Sequence, residues 1–197
     1  MEESVSVENV PMKEENIEEI NKFVVFIFNL FEICAQAFVF VIFIFHFLFR
    51  TVSVDGSSMN NTLFDKDKLF IFSSFFLKPK QKDIVVLNTF DSLDALIVKR
   101  VIATEGQTVD IRRNGDHYDV YVDGVRLEED YIKEPISPFH IGDLTYPLVV
   151  PKGHIFVLGD NRNDSRDSRE FACFNLERVK GIALARITPV RSFTIFK

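Results

Sequence analysis

Twenty-seven residues, FVVFIFNLFEICAQAFVFVIFIFHFLF from Phe23 to Phe49, contain only four polar side chains, Asn29, Glu32, Gln36 and His46. A helix crossing a bilayer needs roughly 17 to 25 largely apolar residues, so this run is predicted to be a transmembrane anchor, residues 23–49. Its uninterrupted core is Ile33 to Phe49, with Glu32 near one interface. A cleaved secretory signal is the rival reading, because Ala35-Gln36-Ala37 supplies an A-x-A pattern. It fails on two counts: the segment before the run is acidic rather than basic, and the most apolar stretch follows the cleavage pattern instead of preceding it. Lys22 and Arg50 at the two ends give no orientation by charge. Glu32 and His46 are read as interfacial or snorkelling groups rather than functional intramembrane ones.

The charge is unevenly placed. Residues 1–22, an acidic N-terminal tail, hold seven Glu against two Lys; Glu32 adds one more negative charge, and from Arg50 onward the chain sums to zero within a total of -6. A balanced body without a clustered positive face argues against a nucleic-acid partner. The two cysteines, Cys34 and Cys173, lie far apart in the sequence, one of them inside the apolar run, so neither a disulfide framework nor a cysteine metal site is expected. No metal or organic cofactor is called for.

Beyond Thr51 the periodicity changes to short alternating runs bounded by turn formers. Lys68–Ser73, Asp83–Leu87, Ala95–Ile102, Thr108–Arg112, Tyr118–Val122 and His154–Leu158 read as strands. Asn114-Gly115 and Asp123-Gly124 are two-residue turn signals. Residues 134–151, with four prolines, read as a surface excursion. No long amphipathic pattern and no repeat follows the anchor. The fold class is mainly β: one antiparallel β-sheet domain, residues 50–197, behind one N-terminal transmembrane helix.

Three pieces carry candidate chemistry. VDGSSMNNTL, residues 54–63, offers Ser57, Ser58 and Thr62 after Gly56, which permits a tight turn. In IVKRVIATEGQTV, residues 97–109, Lys99 interrupts an otherwise apolar strand. A strand lysine is ordinarily a solvated edge residue; buried, its amine loses the favourable hydration of its charge, and a group that titrates near about 10.4 becomes a usable base. IFVLGDNRNDSRDSR, residues 155–169, runs from a strand into eleven residues without a hydrophobic side chain. A plain loop has this composition. So does an ionic scaffold, with three Arg interleaved among three Asp. His46, His117, His140 and His154 have no acid at motif spacing and are read as structural.

In this order, the three pieces resemble the bacterial type I signal peptidases, membrane-bound serine proteases that remove signal peptides from exported preproteins. GDNRNDSRDSR fits the family pattern GDNRxxSxDSR at every defined position. The resemblance covers the anchor and nearly all of residues 50–187. It implies Ser58 as nucleophile, Lys99 as general base, Ser165 as the hydroxyl orienting the lysine amine, and Asp160, Arg162, Asp167 and Arg169 as a supporting framework. It implies Met59 as a lining of the nearer substrate pocket. Gly56 stands where some members carry a serine whose hydroxyl contributes to the oxyanion hole, so here the hole would rest on backbone groups such as the Ser58 N–H. The partners implied are preproteins and the lipid bilayer, the chain a monomer. The location implied is the cytoplasmic membrane, single-pass, with the N-terminus inside and the catalytic domain outside. Asn61 replaces the family's usual proline before the threonine, and Ala172 replaces a usual glycine. Two rivals remain at this level. A self-cleaving repressor-type protease uses a similar pair, but here there is an apolar run and no DNA-binding motif. A non-catalytic anchored β module would leave the joint spacing of Ser58, Lys99 and residues 159–169 unexplained, and predicts an exposed Lys99.

Overall fold

The computed structural model describes residues 14–75, 77–89 and 96–196, and the chain divides into two units between His46 and Phe47. The first unit is built on helix α1, Glu14–Leu48. It begins earlier than the apolar pattern, inside the segment expected to be tail. Glu18 and Lys22 add an i,i+4 pair at 3.0 Å. Its apolar side chains are exposed all round, the pattern of a helix made for a non-aqueous surround. At about 1.5 Å per residue the apolar part is long enough to cross a bilayer with room for tilt.

The second unit is antiparallel throughout. Its strands are β1 (Phe49–Ser53), β2 (Lys68–Ser73), β3 (Ile84–Asn88), β4 (Leu96–Thr104), β5 (Thr108–Asn114), β6 (His117–Val122), β7 (Val125–Arg126), β8 (Leu148–Val149), β9 (His154–Leu158), β10 (Phe174–Asn175), β11 (Val179–Thr188) and β12 (Thr194–Ile195). The larger sheet runs β1-β2-β11-β3-β4-β9-β10, with β12 on β11, and the smaller runs β7-β6-β5-β8. All six expected strands are present within one or two residues; the expected start at Ala95 lies outside the described residues. Both two-residue turns form, but differently. The β6–β7 turn is Asp123-Gly124, with both residues at positive φ as a primed turn requires. In the β5–β6 turn the pairing of Asn114 with His117 makes the loop Gly115-Asp116, one residue later than the Asn-Gly signal suggests.

The period-2 alternation of the strands sorts the core into three clusters. Along β3, Ile84 and Val86 face one cluster with Val54, Met59, Leu63, Leu69, Ile71 and Val98, while Val85 and Leu87 face another with Val101, Ile155 and Val157. Along β9, Phe156 and Leu158 turn instead toward the small sheet, meeting Ile111, Val120 and Val122. Strands β3 and β9 are therefore buried on both faces, which is why they read as continuous apolar runs. The centre of the large sheet is a rigid, dry platform, and β4 lies in it.

After β9 the chain forms residues 159–167 and a single helical turn, α2 (Ser168–Phe171), ending at Ala172 with φ 60° and ψ -156°. A Cβ in that region of dihedral space is costly, of the order of 1–3 kcal/mol. Ala172→Gly is therefore expected to raise stability by about 1 kcal/mol, or roughly 2–4 °C in thermal midpoint for a domain of this size. A thermal scan of the detergent-solubilised variant checks it.

Candidate active site

The loop between β1 and β2 is folded by its own polar residues. Gly56 takes φ +91°, Val54 and Lys66 close the loop ends through backbone bonds, and Asn60 N–H donates to Ser57 O at 3.0 Å. Leu63 and Met59 fasten it from beneath, both buried in the core. Ser58 is left at the loop surface, and its backbone N–H has no hydrogen-bond partner among the described residues.

Facing it is Lys99, in the middle of β4 opposite Val85. Lys99 Nζ donates to Ser58 Oγ at 2.7 Å and to Val98 O at 3.1 Å. The lysine is 3% exposed. Burial pulls its amine down to about 8; the Asp167 and Asp160 carboxylates oppose that, and the Arg169 guanidinium reinforces it. Above about pH 8 the amine is neutral and carries a lone pair 2.7 Å from a hydroxyl.

Residues 159–169 wrap this pair. Asn161 holds the Ser58 loop by two bonds, its N–H to Ser58 O at 3.0 Å and its side-chain amide to Ser57 O at 3.1 Å. Gly159 is glycine because a Cβ there would strike the Ser58 carbonyl and the Ser165 side chain. The charges pair outward as well as among themselves. Asp160 accepts two bonds from Arg100, at 2.8 and 2.6 Å, and one from Thr62 Oγ1. Arg162, 1% exposed, is held by Glu129 at 2.9 and 2.6 Å and by Gly159 O at 3.0 Å. Asp167 takes both guanidinium bonds of Arg169, each 2.8 Å, and the Gly159 N–H at 3.0 Å. Ser168 Oγ accepts from Val157 N–H at 2.9 Å, tying the segment back to β9.

Several expectations change. Gly56 shapes the turn but supplies no oxyanion donor, because its N–H is committed to Asp65 Oδ1 at 2.9 Å, a bond that also holds the Asp65 carboxyl below its ordinary range. Met59, expected to line the nearer pocket, is 1% exposed and packs in the core beneath the loop. Ser165 Oγ is buried beside Gly159 without a hydrogen-bond partner, so the expected bond to Lys99 is not made. Ser57, the neighbouring hydroxyl, is engaged by Asp164 at 2.5 Å. His117 lies against Asp116 and Asp119, His140 against Ser137, and His154 against Lys152 O; none of these contacts involves Ser58. Among the described residues no group of His, Cys, Asp and Glu is placed to hold a metal ion. Sequence reasoning missed Glu129 and Tyr131, which sit in the stretch after β7. The Tyr131 hydroxyl bonds Glu129 at 2.8 Å and its ring lies 4.0 Å beneath Arg100. An ordinary-looking EED-Y carries no signal for this; only the fold brings it to the site.

Comparison with known proteins comes from three directions. The family model described as signal peptidase, peptidase S26, matches residues 27–188. Signal peptidase I P of Bacillus subtilis subsp. natto is 37% identical over 144 residues, 69% of this chain and 75% of that protein. The chloroplastic thylakoidal processing peptidase 1 of Arabidopsis thaliana is 34% identical over 150 residues, 70% of this chain and 41% of that longer protein. Among solved structures, a signal peptidase I from Enterococcus faecalis is 30% identical, covering 53% of this chain and 96% of that one, at a TM-score of 0.42.

The buried Arg162–Glu129 pair gives a test of the framework. Glu129→Gln leaves a buried guanidinium without its counter-charge and is expected to cost about 3–5 kcal/mol, while Glu129→Gln with Arg162→Met recovers part of the loss. Thermal midpoints of the single and double variants, read as a cycle, check it.

Proposed function

Because this chain belongs to the signal peptidase, peptidase S26, family, whose members cleave signal peptides from preproteins, we propose that it does so as a membrane-anchored serine endopeptidase with Ser58 as nucleophile and Lys99 as general base. The observation that carries the reading is the buried Lys99 amine 2.7 Å from Ser58 Oγ. It also weighs against a non-catalytic β module, for which an exposed, ordinarily basic Lys99 is expected.

In this reading the neutral amine takes the proton of Ser58 as Oγ attacks the scissile carbonyl. The resulting ammonium then gives that proton to the departing amine, leaving an acyl-enzyme that water, deprotonated by the same lysine, hydrolyses. The Ser58 N–H is the backbone donor for the oxyanion of each tetrahedral intermediate. Asp160, Arg162, Asp167 and Arg169 hold the segment that fixes the nucleophile loop. Ser165, whose buried hydroxyl is without a hydrogen-bond partner, is the residue to orient the ammonium once it forms.

Substrate recognition follows from strand pairing. β9 pairs with β4 only from Arg100 onward, so residues 96–99 have no strand partner on that side among the described residues, and the Val98 carbonyl accepts from Lys99 Nζ. An extended cleavage segment laid along that edge would gain main-chain hydrogen bonds beside Ser58. Small side chains before the cut are what a loop floored by packed core residues admits. In this reading the chemistry works at the cytoplasmic membrane, with the N-terminus inside and residues 50–197 on the outer face; the long apolar helix α1 supports the anchor.

Purified full-length protein in detergent should trim a preprotein after a small residue. Ser58→Ala and Lys99→Ala should each lower the rate by at least ~10³-fold, and survival of cleavage in Ser58→Ala would shift the nucleophile to Ser57. With an amine that must be neutral and titrates at about 8, kcat/KM should climb about tenfold per pH unit below that value and level above it. A profile flat from pH 6 to 9 would remove Lys99 as the base.

A further inference from the structure

On the second unit, at the end of β1 and β2 opposite the loop that carries Ser58, a groove of about 630 Å³ opens. Pairing in the sheet assembles it. Arg50 on β1 stands opposite Ile71, and Gly181, the residue after Lys180 on β11, stands opposite Ser73. Arg50 and Lys180 therefore flank the same end of β2, and Lys78 from the following loop completes a set of three exposed cations lining one depression. The side chains of Arg50 and Lys180 have no hydrogen-bond or ion-pair partner among the described residues. Lys78 faces the Glu105 carboxylate. One acidic side chain, Glu177, shares the lining. Such a concentration is local, because the sequence from Arg50 onward is electrically balanced. The rim is apolar: Phe75 is 79% and Leu77 49% exposed.

Cations inside an apolar rim match the two halves of a phospholipid at its interface, a phosphodiester beside the first methylenes of the acyl chains. Arg50 is suited to grip phosphate oxygens through its planar fork, and the two lysines act as point charges. The place of Arg50 in the chain selects a membrane source for that phosphate. It lies two residues beyond Leu48, the end of α1, so at most ~7 Å of chain separates it from the span. We infer that this groove binds the headgroup of an anionic phospholipid at the bilayer surface. The inference rests on the reading of α1 as a membrane anchor, and is independent of the catalytic roles of Ser58 and Lys99.

The sequence contains no tryptophan, so Phe75→Trp creates a single fluorescent reporter at the rim. Full-length protein with this change, reconstituted into phosphatidylcholine vesicles and recovered by flotation, is titrated with brominated phosphatidylglycerol or the same mole fraction of brominated phosphatidylcholine. The glycerol lipid is expected to quench at least about twofold more strongly, with the preference falling as salt is raised. Lys180→Gln should reduce the preference part of the way. Arg50→Gln with Lys78→Gln and Lys180→Gln should abolish it while preprotein cleavage in detergent persists. Equal quenching by the two lipids, no quenching by either, or a preference that survives in the triple variant overturns the inference. A chain that does not float with the vesicles removes the anchor, and the inference with it.

Discussion

A lysine amine can serve as a base only if it is dry enough to shed its proton near neutrality and has no carboxylate of its own to hold that proton on. Both conditions meet at Lys99. Burial lowers its affinity for the proton, yet two carboxylates, Asp160 and Asp167, are close enough to raise it again. Each is already taken. Arg100 grips Asp160 through two bonds and Arg169 grips Asp167 through two more, and the Arg169 guanidinium itself opposes the pull of Asp167 on Lys99. Replacing Arg169 by a neutral residue would free a carboxylate next to the amine and raise its affinity for the proton. Arg169 thus acts on the amine without a hydrogen bond to it.

The same pairs set the position of Ser58. Asn161 reaches the Ser57 and Ser58 carbonyls from a segment whose neighbours Asp160 and Arg162 are locked to Arg100 and Glu129. Arg100 adjoins Lys99 on β4, so the strand that carries the lysine also carries the cation anchoring the segment that holds the serine. Movement of one relative to the other requires breaking a buried ion pair, which costs several kcal/mol. A 2.7 Å contact between two flexible side chains is preorganised in this way by backbone and charges, not by the side chains themselves.

Much of this was legible in the residues. The apolar run and the alternating strands follow from periodicity. The joint presence of Ser58, Lys99 and GDNRNDSRDSR pointed to the family. What stayed hidden was pairing at long range. Interleaved Asp and Arg in residues 159–169 suggest a self-contained scaffold, but while Asp167 and Arg169 pair with each other, Asp160 and Arg162 go to Arg100 and Glu129. Composition cannot choose among partners that only the fold brings near. β11, the longest strand, was not read because Gly181, Ala183 and Ala185 dilute its β-branched signal. Gly181 is there for a packing reason, since a Cβ would press on the Phe72 carbonyl of β2. Met59 looks accessible from its place beside Ser58, and only the curl of the loop sends it inward.

The arrangement has an energetic consequence that falls on the fold as a whole. Lys99 titrates at about 8 in the folded chain against an ordinary 10.5, so between those values the unfolded chain binds more protons and stability rises with pH. Below about 8 both states are protonated, and the folded state carries the full cost of a desolvated ammonium, on the order of 3 kcal/mol. Near neutrality, then, the site is held open against a standing destabilisation comparable to a sizeable share of a domain's net stability. Three core clusters and the paired framework around residues 159–169 are what offset it. On the proposed mechanism the chemistry needs a base that the fold would be more stable without, and the packing around Lys99 is the means by which that strained protonation equilibrium persists.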